Sequence, residues 1–339
     1  LSAAAMKRFT PERRPMQVGM FINTQFPEGD HVAGRIPELV EQVRLARDSG
    51  FASLLFPHHY LTAPLQMLQI TPLMGYLLRE AQGMTIGGNI LLLPLLNPVH
   101  VAEEAATLDV LSGGKFILGV GLGYRVGEFD AFGISLRHRA PRFTESIELM
   151  RRLWTEDRVH FEGRFYRVKD HGISLKPLQR GGPPVWVAGL VEAAVQRAAQ
   201  IGDAWLIANA TTLGATEPLM KLYRAALKQS GRFVEDFPIA RECYVGASHA
   251  TAMDECRAAL EYKYNSYAAW GMESPTASMS FEEMARDRFI IGDKVSVKEE
   301  IARWQERLGV NHFVMRVQWP GLPQEKVLNS IRRLGEIFV

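Results

Sequence analysis

Between Met84 and Gly133 the chain passes from an apolar run to helical spacing and back again. Met84–Leu92 is apolar at strand length, Pro94 and Pro98 interrupt it, and Val99–Leu111 repeats apolar residues at helical intervals. Ser112-Gly113-Gly114 stops that helix, and Phe116–Val120 is a second apolar run. Strands that lack polar alternation suit a parallel sheet covered on both faces, because neither face meets water. The pattern predicts a β-α-β unit that opens into Gly119-Val120-Gly121-Leu122-Gly123-Tyr124-Arg125. Glycines at a strand's C-terminal end let another backbone or a flat ligand come close. Chemistry in α/β folds gathers at those ends.

Six further runs repeat the rhythm: Gln17–Ile22, Ser53–Phe56, Pro184–Ala188, Ala204–Ala208, Ile239–Val245 and His312–Val317. Between and after them, helices are predicted over Ile36–Ser49, Arg142–Trp154, Leu219–Gln229, Val297–Leu308 and Glu325–Ile337. Eight alternations imply right-handed crossovers and a parallel sheet. The predicted fold is α/β, a single (β/α)8 TIM barrel, which a chain of 339 residues accommodates. Two segments exceed the minimal plan. Val159–Val168 reads as a hairpin turning near Glu162-Gly163, and Asn265–Gly292 reads as a lid-like insertion. Residues 17–339 are expected to form the barrel domain.

Charge narrows the function classes. The net charge is +2, and Lys7, Arg8, Arg13 and Arg14 against Glu12 place +3 in residues 1–16, leaving about −1 for the rest. Residues 1–16 are therefore expected to be a flexible basic arm, and the body offers no basic surface for nucleic acid. No apolar run approaches a membrane span. Two cysteines, Cys243 and Cys256, argue for a reducing, cytoplasmic setting and against a thiolate metal cage. No metal site is expected, since HExxH is absent.

Pro57-His58-His59-Tyr60 follows the second strand, so its histidines face the expected mouth. A histidine there can donate a hydrogen bond or move a proton near neutral pH; the alternative is a structural histidine tied to a loop. Gly119–Gly123 is not a dinucleotide fingerprint, because Tyr124 and Val126 stand where the last glycine would fall. Ala188-Gly189-Leu190-Val191 passes from strand to helix without a proper loop, so unpaired N–H groups at that helix start could hold a phosphate. Arg139 and Arg142 lie just beyond the glycine loop, and Arg316 ends the eighth strand before Gln318 and Trp319. Arginine suits phosphate because its planar fork donates two parallel hydrogen bonds.

At these residues the chain resembles the bacterial luciferase-like flavin monooxygenase family, which includes the coenzyme F420-dependent reductases. The likeness runs from Gln17 to about Gly335. It is carried by Pro57-His58-His59-Tyr60, HVAEEAATLDVLSGGKFILGVGLGYRVGEFDAFG, RHRAPRFTESIELMRRLWTEDRVHFEGRFY, VAGLVEAAVQRAAQIGDAWLI and FIIGDKVSVKEEIARWQERLGV. Lys294 stands where relatives usually have proline. The resemblance implies a TIM barrel holding reduced FMN or F420 at the strand C-termini. It places His58 near the flavin as the catalytic candidate. Gly121, Gly123 and Tyr124 would line the ring and ribityl chain. Arg139 would approach the phosphate, as would the backbone of Ala188, Gly189, Leu190 and Val191. Many relatives have a phosphate-binding serine near Leu190 and Val191, which this chain lacks. A cis non-prolyl bond is expected at Asn89-Ile90, making Asn89 a cofactor-site residue. His59, Tyr60 and Trp319 are candidate substrate-wall residues.

The leading expectation is a two-component monooxygenase. A partner flavin reductase supplies reduced FMN, and O2 is used to oxygenate a small organic substrate. The first alternative is an F420-dependent hydride transferase on the same barrel. The second is a non-catalytic flavin-binding or assembly subunit. By family analogy a homodimer is expected through helices beside the second and third strands.

Overall fold

A computed structural model describes residues 15–271 and 279–338. Residues 1–14 of the expected basic arm, and residues 272–278 of the expected lid, lie outside the described residues.

Nine strands form a curled parallel sheet: β1 Gln17–Phe21, β2 Ser53–Phe56, β3 Thr85–Gly88, β4 Phe116–Gly121, β5 Val185–Ala188, β6 Ala204–Leu206, β7 Pro238–Val245, β8 Ile290–Gly292 and β9 His312–Arg316. They run in the order β6-β5-β4-β3-β2-β1-β9-β7-β8. Between β6 and β7 the pairing reduces to one parallel bridge, Ile207 to Ile239. There the Ile207 N–H donates to the Pro238 carbonyl at 3.0 Å and the Ala240 N–H donates to the Ile207 carbonyl at 2.8 Å.

Helices follow most strands: α1 Val32–Asp48, α2 Ile70–Leu77, α3 Pro98–Leu111, α4 Val126–Ala131, α5 Arg139–Thr155, α6 Glu192–Ile201, α7 Leu213–Ser230, α8 His249–Ala269, α9 Phe281–Ala285, α10 Lys294–Leu308 and α11 Gln324–Gly335. Leu39, Val101, Leu149, Val195, Ile301 and Ile331 are among the helix residues buried in the main apolar core. A second cluster gathers Phe21, Leu55, Ile117, Trp186, Leu206 and Val314 from six strands of the sheet. It contains no residue of β3, whose last positions are Gly87 and Gly88.

Several boundaries depart from the sequence reading. The run Met84–Leu92 is not one strand: β3 ends at Gly88, the Asn89–Ile90 peptide is cis as expected, and Leu91–Leu92 then pairs with β4. The 159–168 hairpin extends to His171, with Val159–Glu162 paired to Arg167–His171 and residues 163–166 turning. The Glu145 carboxylate of α5 sets that turn by accepting the N–H groups of Arg164, Phe165 and Tyr166 at 3.0, 2.8 and 2.8 Å. In the 265–292 segment, Asn265 belongs to α8, Ser280 and Glu283 form a capping box at the start of α9, and Ile290–Gly292 is β8, a strand beyond the eight expected. Its described parts are therefore the end of α8, the short helix α9 and a sheet strand.

The glycines of β3 and β4 bring two backbones together. A Cβ placed on Gly119 would lie 1.9 Å from the Gly88 carbonyl oxygen, which is backbone and cannot step aside. Gly119→Ala should therefore lower the unfolding free energy by about 3 kcal/mol in urea titrations, the upper end of ordinary overpacking. Gly127 of α4 has open space around it, so Gly127→Ala should be neutral or stabilising by about 0.5–1 kcal/mol.

Candidate active site

At the C-terminal ends of these strands lies a cavity of about 360 Å³. Its walls come from β1, the 57–59 turn after β2, the cis peptide, the glycine loop after β4, the start of α6, the end of β6, α8 and β9. His58, His59, Asn89, Gly121, Gly123, Tyr124, Arg139, Ala188, Gly189, Leu190 and Val191 all line it. Tyr60 and Trp319, expected as walls, do not. Tyr60 packs against the His58 ring at 4.5 Å and the Phe132 ring at 4.6 Å, and burial pushes its hydroxyl up to about 12. Trp319 is fully buried and donates its indole N–H to Glu242.

The two histidines are held differently. His58 is 4% exposed. Its Nδ1 accepts the Leu92 N–H at 3.2 Å, so the ring proton is on Nε2 and is donated to Gln69 Oε1 at 3.1 Å. Burial pulls its pKa down to about 4, the Gln69 bond opposing and the neighbouring His59 adding to the drop. His58 is thus a neutral ring with both nitrogens engaged, which limits it to packing and positioning. His59 Nδ1 lies 3.0 Å from Glu128 Oε1, and that carboxylate oxygen also accepts the Tyr60 N–H at 2.8 Å. Burial alone would raise the Glu128 carboxyl. Bonds from His59 and the Tyr60 amide, with the charge of Arg125, outweigh it and hold the pKa below the ordinary value. An ionised Glu128 only accepts, so the His59 proton is on Nδ1 and Nε2 is left without a partner among the described residues. Tyr124, Trp270 and Tyr267 surround the His59 ring at 5.8, 5.7 and 6.4 Å. The sequence reading missed Glu128: α4 carries two acids, and nothing in the sequence marks Glu128 as the buried one and Asp130 as the exposed one.

The cavity wall offers unsatisfied polar atoms. The Asn89 amide nitrogen and the Tyr124 hydroxyl are buried with no hydrogen-bond partner among the described residues. On the same wall a Cβ on Gly121 would lie 2.1 Å from Ile90 Cδ1, so only glycine keeps it flat there. Unpaired buried polar groups are costly and are retained where a ligand satisfies them. A flat heteroaromatic ring with carbonyl and N–H edges fits these donors and acceptors.

The wall also carries cationic groups. Arg139 lines the cavity from the start of α5, its Nη1 donating to the Leu136 carbonyl at 3.0 Å. Arg197 of α6 lies behind it, outside the lining, and burial together with the Arg139 charge lowers its pKa. Neither has a carboxylate partner among the described residues. Helix α6 starts at Glu192 behind Val191, which gives no side-chain cap. An arginine on the wall, a second near it and an uncapped helix start fit a phosphate. Arg197 was invisible in sequence, where it reads as a surface residue of an alanine-rich helix. Arg142 is elsewhere, bonding the Pro94 carbonyl at 3.1 Å.

No described helix is long and apolar enough to cross a membrane, and the described residues contain no cluster of three metal-ligating side chains.

Comparisons with known proteins agree with this architecture. The family model described as luciferase-like monooxygenase matches residues 16–312. An F420-dependent glucose-6-phosphate dehydrogenase of Nocardia farcinica is 27% identical over 252 residues, covering 70% of this chain and 73% of that protein. The monooxygenase RslO1 of Streptomyces bottropensis superposes with a TM-score of 0.83 at 22% identity, covering 95% of this chain and 98% of its own. The oxygenating constituent of 3,6-diketocamphane monooxygenase from Pseudomonas putida, solved with FMN, superposes with a TM-score of 0.77 at 14% identity, covering 95% and 97%.

Proposed function

The chain belongs to the luciferase-like monooxygenase family of oxidoreductases, and from that premise we propose that it oxygenates a small organic substrate with O2 and reduced FMN delivered by a partner reductase. We read residues 17–339 as one domain and the Ile207–Ile239 bridge as the seam that closes a (β/α)8 barrel. The observation that carries the reading is the cavity's lining: orphaned Asn89 and Tyr124 groups, a glycine-flat wall at Gly121, and Arg139 with Arg197 near it. Bound there, reduced flavin supplies the electrons that activate oxygen.

The residues of the chain supply the rest. Arg139, Arg197 and the α6 start hold the phosphate. Asn89 and Tyr124 give hydrogen bonds to the ring edge. Ile90, Leu92 and Leu206 present apolar surface that keeps water off the reacting face. His58, neutral and doubly bonded, ties the 57–59 turn to Leu92. His59 is the group able to take or give a proton, at Nε2, with Glu128 fixing its tautomer. His59→Asn should lower kcat about 100-fold, the low end for a lost acid–base group, while leaving the flavin dissociation constant within about twofold. Oxygen uptake is followed with NADH, a flavin reductase and FMN; the reading is sunk if substrate-dependent uptake never rises above that of the reductase alone.

The F420 reading is favoured by the name of the Nocardia relative. It predicts reduction of added F420 by a substrate alcohol without oxygen, a distinct absorbance change. We keep FMN first because, among the described residues, Arg139 with Arg197 near it matches a single phosphate better than a longer polyanionic tail.

A further inference from the structure

We propose that Arg316 and its surroundings form a carboxylate-binding subsite, so that the substrate of this enzyme is an organic anion. The inference rests on the proposed flavin site only for where the substrate lies.

Arg316 ends β9, is 1% exposed and lines the cavity. Its Nε donates to the Gln318 carbonyl at 3.2 Å. Its Nη2 donates to Asn23 Oδ1 at 3.0 Å and Gln25 Oε1 at 2.9 Å. All three acceptors are neutral, and the Tyr267 hydroxyl is close enough to bond the guanidinium as well. The acid behind it, Glu242, is already engaged: Lys263, Asn209 and the Trp319 indole all donate to it. Lys263 and Arg316 thus share one buried carboxylate, which bonds Lys263 and not Arg316. A buried charge with no directly bonded counter-charge is expensive. It persists where a ligand brings that counter-charge, and the guanidinium edge on the cavity is where the ligand would bind.

Position separates this charge from the cofactor's phosphate. In the sheet β9 is separated from β4 by β1, β2 and β3, whereas Arg139 lies beyond the loop that follows β4. A single guanidinium suits a monoanion; Arg139 with Arg197 near it suits a dianion. The subsite is also coupled to the proton-handling group. Tyr267 donates its hydroxyl to Gln25 Oε1 at 3.0 Å, and its ring lies 6.4 Å from His59. A carboxylate on Arg316 would therefore place the rest of a small acid between His59 and the cofactor end. Phe21, 5.1 Å from the Arg316 guanidinium, offers an apolar surface to that body.

The test compares benzoate with its neutral isostere benzamide by calorimetric titration, with and without FMN. Wild type should bind benzoate at least about tenfold tighter, in both states. Arg316→Gln should abolish the preference, and Arg139→Gln should keep it. Equal affinities in wild type would overturn the proposal, and that comparison needs no variant to fold. A preference that survives Arg316→Gln, or FMN displacing benzoate competitively, would overturn it too. Failure to bind FMN with the benzoate preference intact supports the anion subsite and sinks the flavin reading alone.

Discussion

Lowering the pH from 7 to 4 is expected to remove about 6 kcal/mol of stability through two buried histidines. His58 and His312 both have pKa values pulled from 6.5 to about 4, chiefly by burial. His312 lies inside the sheet, its Nε2 2.7 Å from Ser53 Oγ and its ring 5.1 Å from Trp186. In the unfolded chain both protonate near pH 6.5; in the folded chain both stay neutral until about pH 4. Over that window the unfolded state binds more protons, so stability rises with pH and falls as acid is added. The drop from 6.5 to about 4 corresponds to roughly 3 kcal/mol for each histidine, fully present above pH 6.5 and lost progressively as the pH falls through about 4. Urea titrations between pH 6 and 5 should show each histidine contributing about 1.4 kcal/mol per pH unit to the slope. His58→Gln keeps a side chain able to bond Gln69 and should flatten the slope by that amount. An unchanged slope would show that His58 is charged in the folded protein.

Lys263→Met should cost about 3–5 kcal/mol, the range for removing one member of a buried ion pair. Lys263 and Glu242 are 1% and 0% exposed, so neither charge is solvated. Burial pulls the Lys263 pKa downward and Glu242 opposes it; burial likewise pushes Glu242 upward, and Lys263 and Arg316 reverse that push. Without the ammonium, Glu242 keeps only the Asn209 amide and the Trp319 indole as direct donors. Adding Glu242→Gln should lower stability further, because a neutral amide can still accept from both but Arg316 then loses the buried carboxylate that faces it. Melting temperature and urea midpoint for the two variants give the comparison. A double variant at least as stable as the single one would show that packing, and not charge, sets the penalty.

Much of this architecture was legible because apolar runs and glycine stops are local. All eight expected strands appear, and Gly231 and Gly309 end α7 and α10 in left-handed conformation. Helix starts were less legible. α7 begins at Leu213 behind a Thr212 cap, and α10 at Lys294 behind Asp293, several residues before apolar spacing becomes visible. β8 was missed because three residues, Ile290-Ile291-Gly292, carry too little pattern. At the site, motif positions placed His58, Asn89, Gly121 and Arg139 on the cavity. Glu128, Arg197, Lys263 and Glu242 escaped, since their meaning depends on partners distant in sequence. Lys263 pairs with a residue 21 positions away and Glu128 with one 69 away. Trp319 was misplaced for the same reason: the strand-end position was right, but its indole turns to Glu242 and away from the cavity.

An equilibrium titration of the purified protein with FMN, followed by the flavin absorbance shift, tests the proposed cofactor cavity most directly. The account predicts saturation at one flavin per chain. Arg139→Gln should weaken binding about tenfold through the lost charge-assisted bond, and Gly121→Val about 100-fold by driving Ile90 into the ring's space. Flavin that binds wild type and both variants equally, or neither FMN nor F420 binding at all, would contradict it.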